Sequence, residues 1–557
     1  GSSSYSGATT VNAGTLKIAS TGAIYDSGSI ASSATAITTV NTGGILELTN
    51  WGWAGTGGLG QRFFDANALV INGGTLRYSG ASDSASTRGF TVGTSGATFD
   101  SATSGITWGL TDAGSGYPTY RSIFNGNVTF SGAGNITFSH PFTGTGATLT
   151  KNGTGMLTLS GANTFTGGTN INAGTLNVNS SGALGSSGTL SFGGGTLQYS
   201  ANNNTDYSSR ASNAASQAYK IDTNGRDVTW TSALTSSGGT LTKLGTGTLT
   251  LTGTNTFAGD TTITAGTLQL GNGGSTGSLA STNIVDNGTL AFNTNVDTTG
   301  AYNISGTGGL QVTGITRGSA LYSGYLTTTP VNIANDSTVA EVLYRLSGAR
   351  ESGTAITGTP QAGIYFKTFN PLTNTANAQV QMYDGTYTKF VYVKLIQSGS
   401  NVQAVADTSN NTGTGAGYKT GNYLGTDMTV GASSMGLATG SNGASGYGVD
   451  TLYTTTKVTL TGTNTFTGGV TLSNTTTTVS SGAPQYSQTA LGTLELGSLA
   501  SSTVTNNGLL IFNTSAAQTW AGAMSGSGYF IKEGSSALAL TGDSAYSVAP
   551  MVYDGSL

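Results

Sequence analysis

The sequence predicts an all-β protein built as a β-solenoid, with one small β-rich domain inserted into it. Three observations carry that prediction. The same unit recurs without gaps: 151–178 reads KNGTGMLTLSGANTFTGGTNINAGTLNV, and 92 residues further on 243–270 reads KLGTGTLTLTGTNTFAGDTTITAGTLQL. Short segments of the form Gly-Thr-Leu-x-apolar follow one another along the chain, and their alternation sends Leu and Val to one face and polar residues to the other. The chain also has no cysteine, so it must be held by long-range hydrogen bonding and stacking, without disulfides.

Composition narrows the alternatives. Charged residues make up 8% of the chain, against about a quarter in ordinary soluble proteins, and glycine stands at 89 of 557. The glycines keep a fixed phase with Leu, Val, Ile and Phe, which a disordered tract has no reason to do. A net charge of −4 leaves no electrostatic footprint for nucleic acid or anionic lipid. No apolar run reaches the roughly 18 residues of a transmembrane helix.

The elements follow in order. Gly1 to Leu16 falls on Gly161 to Leu176 position by position, which sets Tyr5 on Phe165 and Val11 on Ile171. The Gly-Thr-Leu segment opens at Gly14, Gly74, Gly174, Gly195, Gly266 and Gly288, with variants at Gly44 and Gly508. Each glycine marks a corner needing positive φ or close backbone approach. Strands this short cannot bury a face alone, but stacked coils pair each strand with its equivalents about 4.8 Å above and below. Leu157, Leu159, Ile171 and Leu176 are expected to occupy the same column type as Leu249, Leu251, Ile263 and Leu268. Each such burial contributes roughly 1.5–3 kcal/mol. Asn163-Thr164-Phe165 and Asn255-Thr256-Phe257 are expected to make a polar corner followed by an aromatic plug.

Partial copies of the unit lie at 457–473 and 532–557. Comparing them places an insertion at 315–454, so the expected domains are a solenoid at 1–314, a β-rich domain at 315–454 and a solenoid again at 455–557. Within the insertion, Ser337 to Leu346 is expected to form a short helix. Alternating segments on either side of Asp384-Gly385 form a hairpin signal. Its many tyrosines fit a packed sandwich better than a glycan-binding platform.

The motif K-x-G-x-G-x-L-x-L-x-G-x-N-x-[FY]-x-G-x-[TV]-x-[IV]-x-x-G-x-L resembles the passenger-associated repeat of autotransporter-type surface proteins. That resemblance implies a right-handed parallel β-helix exported to the cell surface, and it is nearly silent on activity. Autotransporters end in a membrane β-barrel, whereas this sequence stops at Leu557 inside a repeat, so the expectation is either that the barrel was removed or that this is a free extracellular protein using the same repeat.

Candidate chemistry is sparse. Acids are scattered, Asp222 and Asp227 being the nearest pair of interest, and lone Asp in such turns serves mainly as a turn residue. The single histidine, His140, is expected in a surface loop. No cofactor, no metal site and no catalytic residue is expected. Instead the two ends, lacking evident caps, are expected to stack head-to-tail into a filament, the competing explanation being that the chain was cut from a longer solenoid. The candidate assembly surface comprises Gly1, Tyr5, Val11 and Leu16 at one end and Leu538, Leu540, Tyr546, Val552 and Leu557 at the other. The partner is then a second copy of the chain, with surface glycans as the partner of 315–454 in the alternative adhesin role. Either function is extracellular and non-enzymatic.

Overall fold

The computed structural model describes residues 8–18, 37–51, 66–111, 122–296, 298–313, 457–473, 492–500 and 503–542, with Ala545, Tyr546 and 550–552. Strands at 2–4, 23–25 and between 316 and 490 are described as backbone. The chain divides into two units: Gly1–Leu268 with Ser278–Gly288, and Gln269–Gly277 with Thr289–Leu557. The fold is all-β, a parallel β-helix in which short strands stack in register.

In the first unit the chain visits three sides in turn. Thr91–Val92, Ala97–Ser101 and Thr107–Leu110 make one circuit, and Ile123–Phe124, Val128–Gly132 and Asn135–Phe138 make the next. Thr91 then lies beside Ile123, Ala97 beside Val128 and Trp108 beside Ile136, all in parallel pairs. From residue 149 the circuit settles at about 20 residues, with Leu149 beside Thr169 and Leu157 beside Leu176. The third side becomes an irregular corner there. Alternation along each strand produces the core: Leu157 and Leu159 point inward, with Met156 and Thr158 half-covered outside.

Asn163 and Phe165, Asn255 and Phe257, and Asn464 and Phe466 are all buried, as the polar-corner and aromatic-plug pattern predicts. The Asn163 side chain accepts from the Phe142 amide (2.8 Å) and donates to the Ala183 carbonyl (2.6 Å), tying its corner to the circuits on either side. Phe90, Phe124, Phe142 and Phe165 form an interior column with successive ring separations of 5.8, 5.0 and 4.6 Å. Each such contact adds about 0.5–1.5 kcal/mol beyond area burial.

The two full repeats are alike, yet they do not sit on the same side of the coil. The inward column Leu157, Leu176, Leu197 and Ile221 continues to Lys243 and Ile263, not to Leu249 and Leu268. Leu249 and Leu251 stack instead on Val228 and Trp230. The second copy is therefore advanced by one side. The cause is local: between Tyr199 and Gln217 the chain runs through turns and one 3-10 segment, Ser208–Arg210, before the ladder resumes at Ala218–Asp222.

In the second unit, Gly309–Thr313 pairs in parallel with Val470–Ser473, and Thr298–Gly300 with Lys457–Leu460. The ladder thus passes from one side of 315–454 to the other with no rung between. Five backbone strands inside that stretch, from Val331–Asn335 to Asn401–Ala406, make an antiparallel sheet in which Tyr383 lies beside Thr388. The helix expected at Ser337–Leu346 lies outside the described residues, as do the tyrosine side chains of the stretch. Among the described residues, no helix is long and apolar enough to cross a membrane.

Candidate functional site

The side chains predicted for the assembly surface fall into distinct environments. Gly1, Tyr5 and Leu557 lie outside the described residues, and Tyr546 is described as backbone of the strand Ala545–Tyr546. Val11 and Leu538 are buried, and Leu540 is half-buried. Leu16 and Val552 are exposed at 36% and 44%. Leu46, the ladder neighbour of Leu16, is fully buried, whereas Leu16 has a ladder neighbour on one side only among the described residues.

The outermost strand, Gly14–Ile18, also starts a column of alternating charge. Lys17 lies beside Glu47, Glu47 beside Arg77 and Arg77 beside Asp100 on successive rungs. The ion pairs measure 2.6 Å (Lys17–Glu47), 3.9 Å (Arg77–Glu47) and 2.6 Å (Arg77–Asp100). Hydrogen bonds from Lys17 and Ser79 hold the Glu47 carboxyl below its ordinary value. Because the strands are in register, opposite signs on adjacent rungs are what such a column requires.

The isolated acids act in turns and ladders. Asp222 accepts from Gln198 (2.8 Å) and from the Asn224 amide (2.8 Å), and Asp227 accepts from the Thr248 amide (2.8 Å). Among the described residues, no group of three or more His, Cys, Asp or Glu could hold a metal ion.

His140 corrects an expectation. It is fully buried, not in a surface loop, with its ring 5.0 Å from Phe90 and 5.7 Å from Phe138. Ser122 Oγ stands 3.2 Å from its Nδ1 and accepts from the Phe90 amide at 3.1 Å. Burial pushes its pKa down to about 3, so the ring is neutral at physiological pH.

The repeat lysine is the feature that pattern reading missed. Lys151, Lys243 and Lys532 are all buried. Lys243 Nζ donates to the carbonyls of Leu244 (2.9 Å), Gly245 (2.7 Å) and, one rung on, Ala265 (3.1 Å). Lys151 repeats the arrangement with Gly153 and with Ala173 on the next rung (3.1 Å), and Lys532 donates to Glu533 and Gly534 (2.7 Å). Burial lowers Lys151 and Lys243 to about 8, which still leaves both ammonium groups protonated at pH 7. The sequence did hold the signal. Lys151 follows Leu149 by two residues in a strand, and Leu149-x-Lys151 therefore shares one inward face.

Glycine makes room for the ammonium. Gly266 has φ +67°, and a Cβ there would lie 2.4 Å from the Gly247 carbonyl oxygen and 2.8 Å from Lys243 Nζ. Gly174 stands in the same relation to Lys151.

No curated protein and no solved structure matches the chain. The family model described as passenger-associated-transport-repeat matches residues 1–18, 149–178 and 241–270. The last two segments contain both full Lys-Gly-Asn-Phe-Gly units described above. These three segments of the chain are thus similar to the passenger-associated-transport-repeat.

Proposed function

We propose that this chain is the structural part of a surface-exported passenger, a β-helical subunit that extends by rung-on-rung stacking into a fibre and performs no catalysis. The observation that carries the reading is the in-register parallel ladder, in which each rung templates another of the same kind. Leu16 and Val552 fit it as exposed apolar side chains of strands that end their sheets among the described residues. Such edges invite strand addition. Leu16, Lys17 and Val552 are then contact residues at the junction between copies. Electron microscopy of the purified protein tests this: filaments lengthening with concentration are expected, and monodisperse single particles at high concentration would refute it.

The antiparallel sheet within 315–454 favours a second role alongside the first. Its antiparallel strands differ from the parallel ladders of the β-helix, such as Gly309–Thr313 with Val470–Ser473, which fits a domain inserted between two consecutive rungs. As an adhesin module it would bind surface glycans. A glycan array comparing the whole chain with a version lacking 315–454 tests this role, and equal signals from the two would exclude it.

A further inference from the structure

We infer that the lysine of the repeat forms a built-in cation site, in which backbone carbonyls of two successive corners receive a primary ammonium and lock the rungs in register.

Three features of the geometry support the assignment. At Lys243 three carbonyl oxygens accept from Nζ, which matches the three N–H donors of an ammonium group. Two of those carbonyls belong to the lysine's own corner and the third to the corner one circuit later. The spacing from Lys243 to Ala265 equals that from Lys151 to Ala173, at 22 residues. The contact is therefore a property of the repeat and not of one locality. Lys532, in the second unit, makes the own-corner half of the same set.

The column around each lysine is otherwise apolar. Lys151 lies between Phe130 and Ile171, and Lys243 between Ile221 and Ile263. An apolar side chain would suit that column if packing alone mattered. The Leu244 carbonyl also accepts from the Thr223 amide (3.2 Å), so what the lysine adds is chiefly a donor for the Gly245 and Ala265 carbonyls, which face it from two successive corners. Arg210 applies the same chemistry to another turn. Its guanidinium donates to the carbonyls of Leu184 (2.8 Å), Gly185 (3.3 Å), Ser187 (2.6 Å) and Gly188 (2.8 Å) on the preceding circuit. With only 19 Lys and Arg in the chain, these cations are used to hold backbone together.

The site is defined by its ligand class, a primary ammonium, and can be tested as such in the full chain. Lys243→Ala is expected to lower Tm by about 5 °C. Methylammonium should restore part of that loss by entering the vacated cage, whereas tetramethylammonium, which has no N–H donor, should restore none. Lys243→Met, which keeps length and apolar contact, is expected to be destabilised as well and to ignore both amines. A Lys243→Met protein as stable as the parent, or a Lys243→Ala protein restored equally by either amine, would overturn the assignment. Should these variants fail to fold, amine acylation of the parent chain decides. Lys17 should react readily and Lys151, Lys243 and Lys532 only on unfolding, and reaction of the three at the rate of Lys17 would refute the site.

Discussion

Two parts of the first unit use their positive charges in opposite ways. On the outer face, Lys17 and Arg77 alternate with Glu47 and Asp100 in a column of carboxylate pairs, and the Lys17 side chain is 55% exposed. Inside the coil, Lys151 and Lys243 meet no carboxylate at bonding distance and are held by backbone carbonyls. An exposed pair gains little because water and salt screen it and two long side chains must be ordered. A buried ammonium cannot be tolerated without partners, yet removing it strands the carbonyls that face it. The half-exposed Lys17 is therefore expected to contribute less to stability than the buried Lys243.

His140 sharpens the contrast from the other side, as an interior base surrounded by aromatic rings where the lysines are surrounded by carbonyl oxygens. Its pKa is depressed from 6.5 to about 3, so the unfolded chain binds the proton first as pH falls. Stability from this group is complete above pH 6.5 and is lost progressively between 6.5 and 3, by on the order of 5 kcal/mol in all. Denaturant titrations across that range should show the loss, and His140→Phe should flatten it. An unchanged profile in the variant would show that other groups govern acid unfolding.

The corner glycine gives the next largest effect. Gly266→Val places a branched side chain at positive φ and into the space held by the Gly247 carbonyl and Lys243 Nζ. A loss of about 3 kcal/mol is expected in chemical unfolding. A near-neutral result would mean the corner can relax without the lysine.

Comparing Lys243→Met with Lys17→Met tests the contrast itself. The interior change should cost about 2 kcal/mol and be insensitive to salt, while the surface change should cost below about 1 kcal/mol and vanish in 1 M NaCl. Thermal unfolding at low and high salt measures both. Equal losses with equal salt dependence would dissolve the distinction drawn here.

Much of this architecture was legible in the chain before any coordinates, because in a solenoid the local pattern and the global fold have the same period. The Asn-x-Phe corners and the glycine-opened strands were placed from spacing alone. The environments of Lys151 and His140 were not, and for one reason. Residue type suggested solvent, while alternation placed Leu149-x-Lys151 and Phe138-x-His140-x-Phe142 on inward faces, and alternation prevailed. The one-side advance of the second repeat had no local signal. It depends on how the turns of 199–217 close, held by Arg210 and by the Trp230 indole donating to Tyr199 Oη at 2.8 Å.

The stacking register underlies every one of these arguments, and spin-label distances measure it directly. The chain has no cysteine of its own, so pairs can be introduced cleanly at half-covered outer positions. Thr75, Thr98, Thr129, Thr150, Asn170 and Ser191 are successive neighbours in one ladder. Labels at Thr75 and Thr150 should lie about 14 Å apart and labels at Thr75 and Ser191 about 24 Å apart, a gain of about 4.8 Å per rung. Separations that do not grow with the number of rungs would contradict the parallel in-register coil, and with it the cation site and the proposed function.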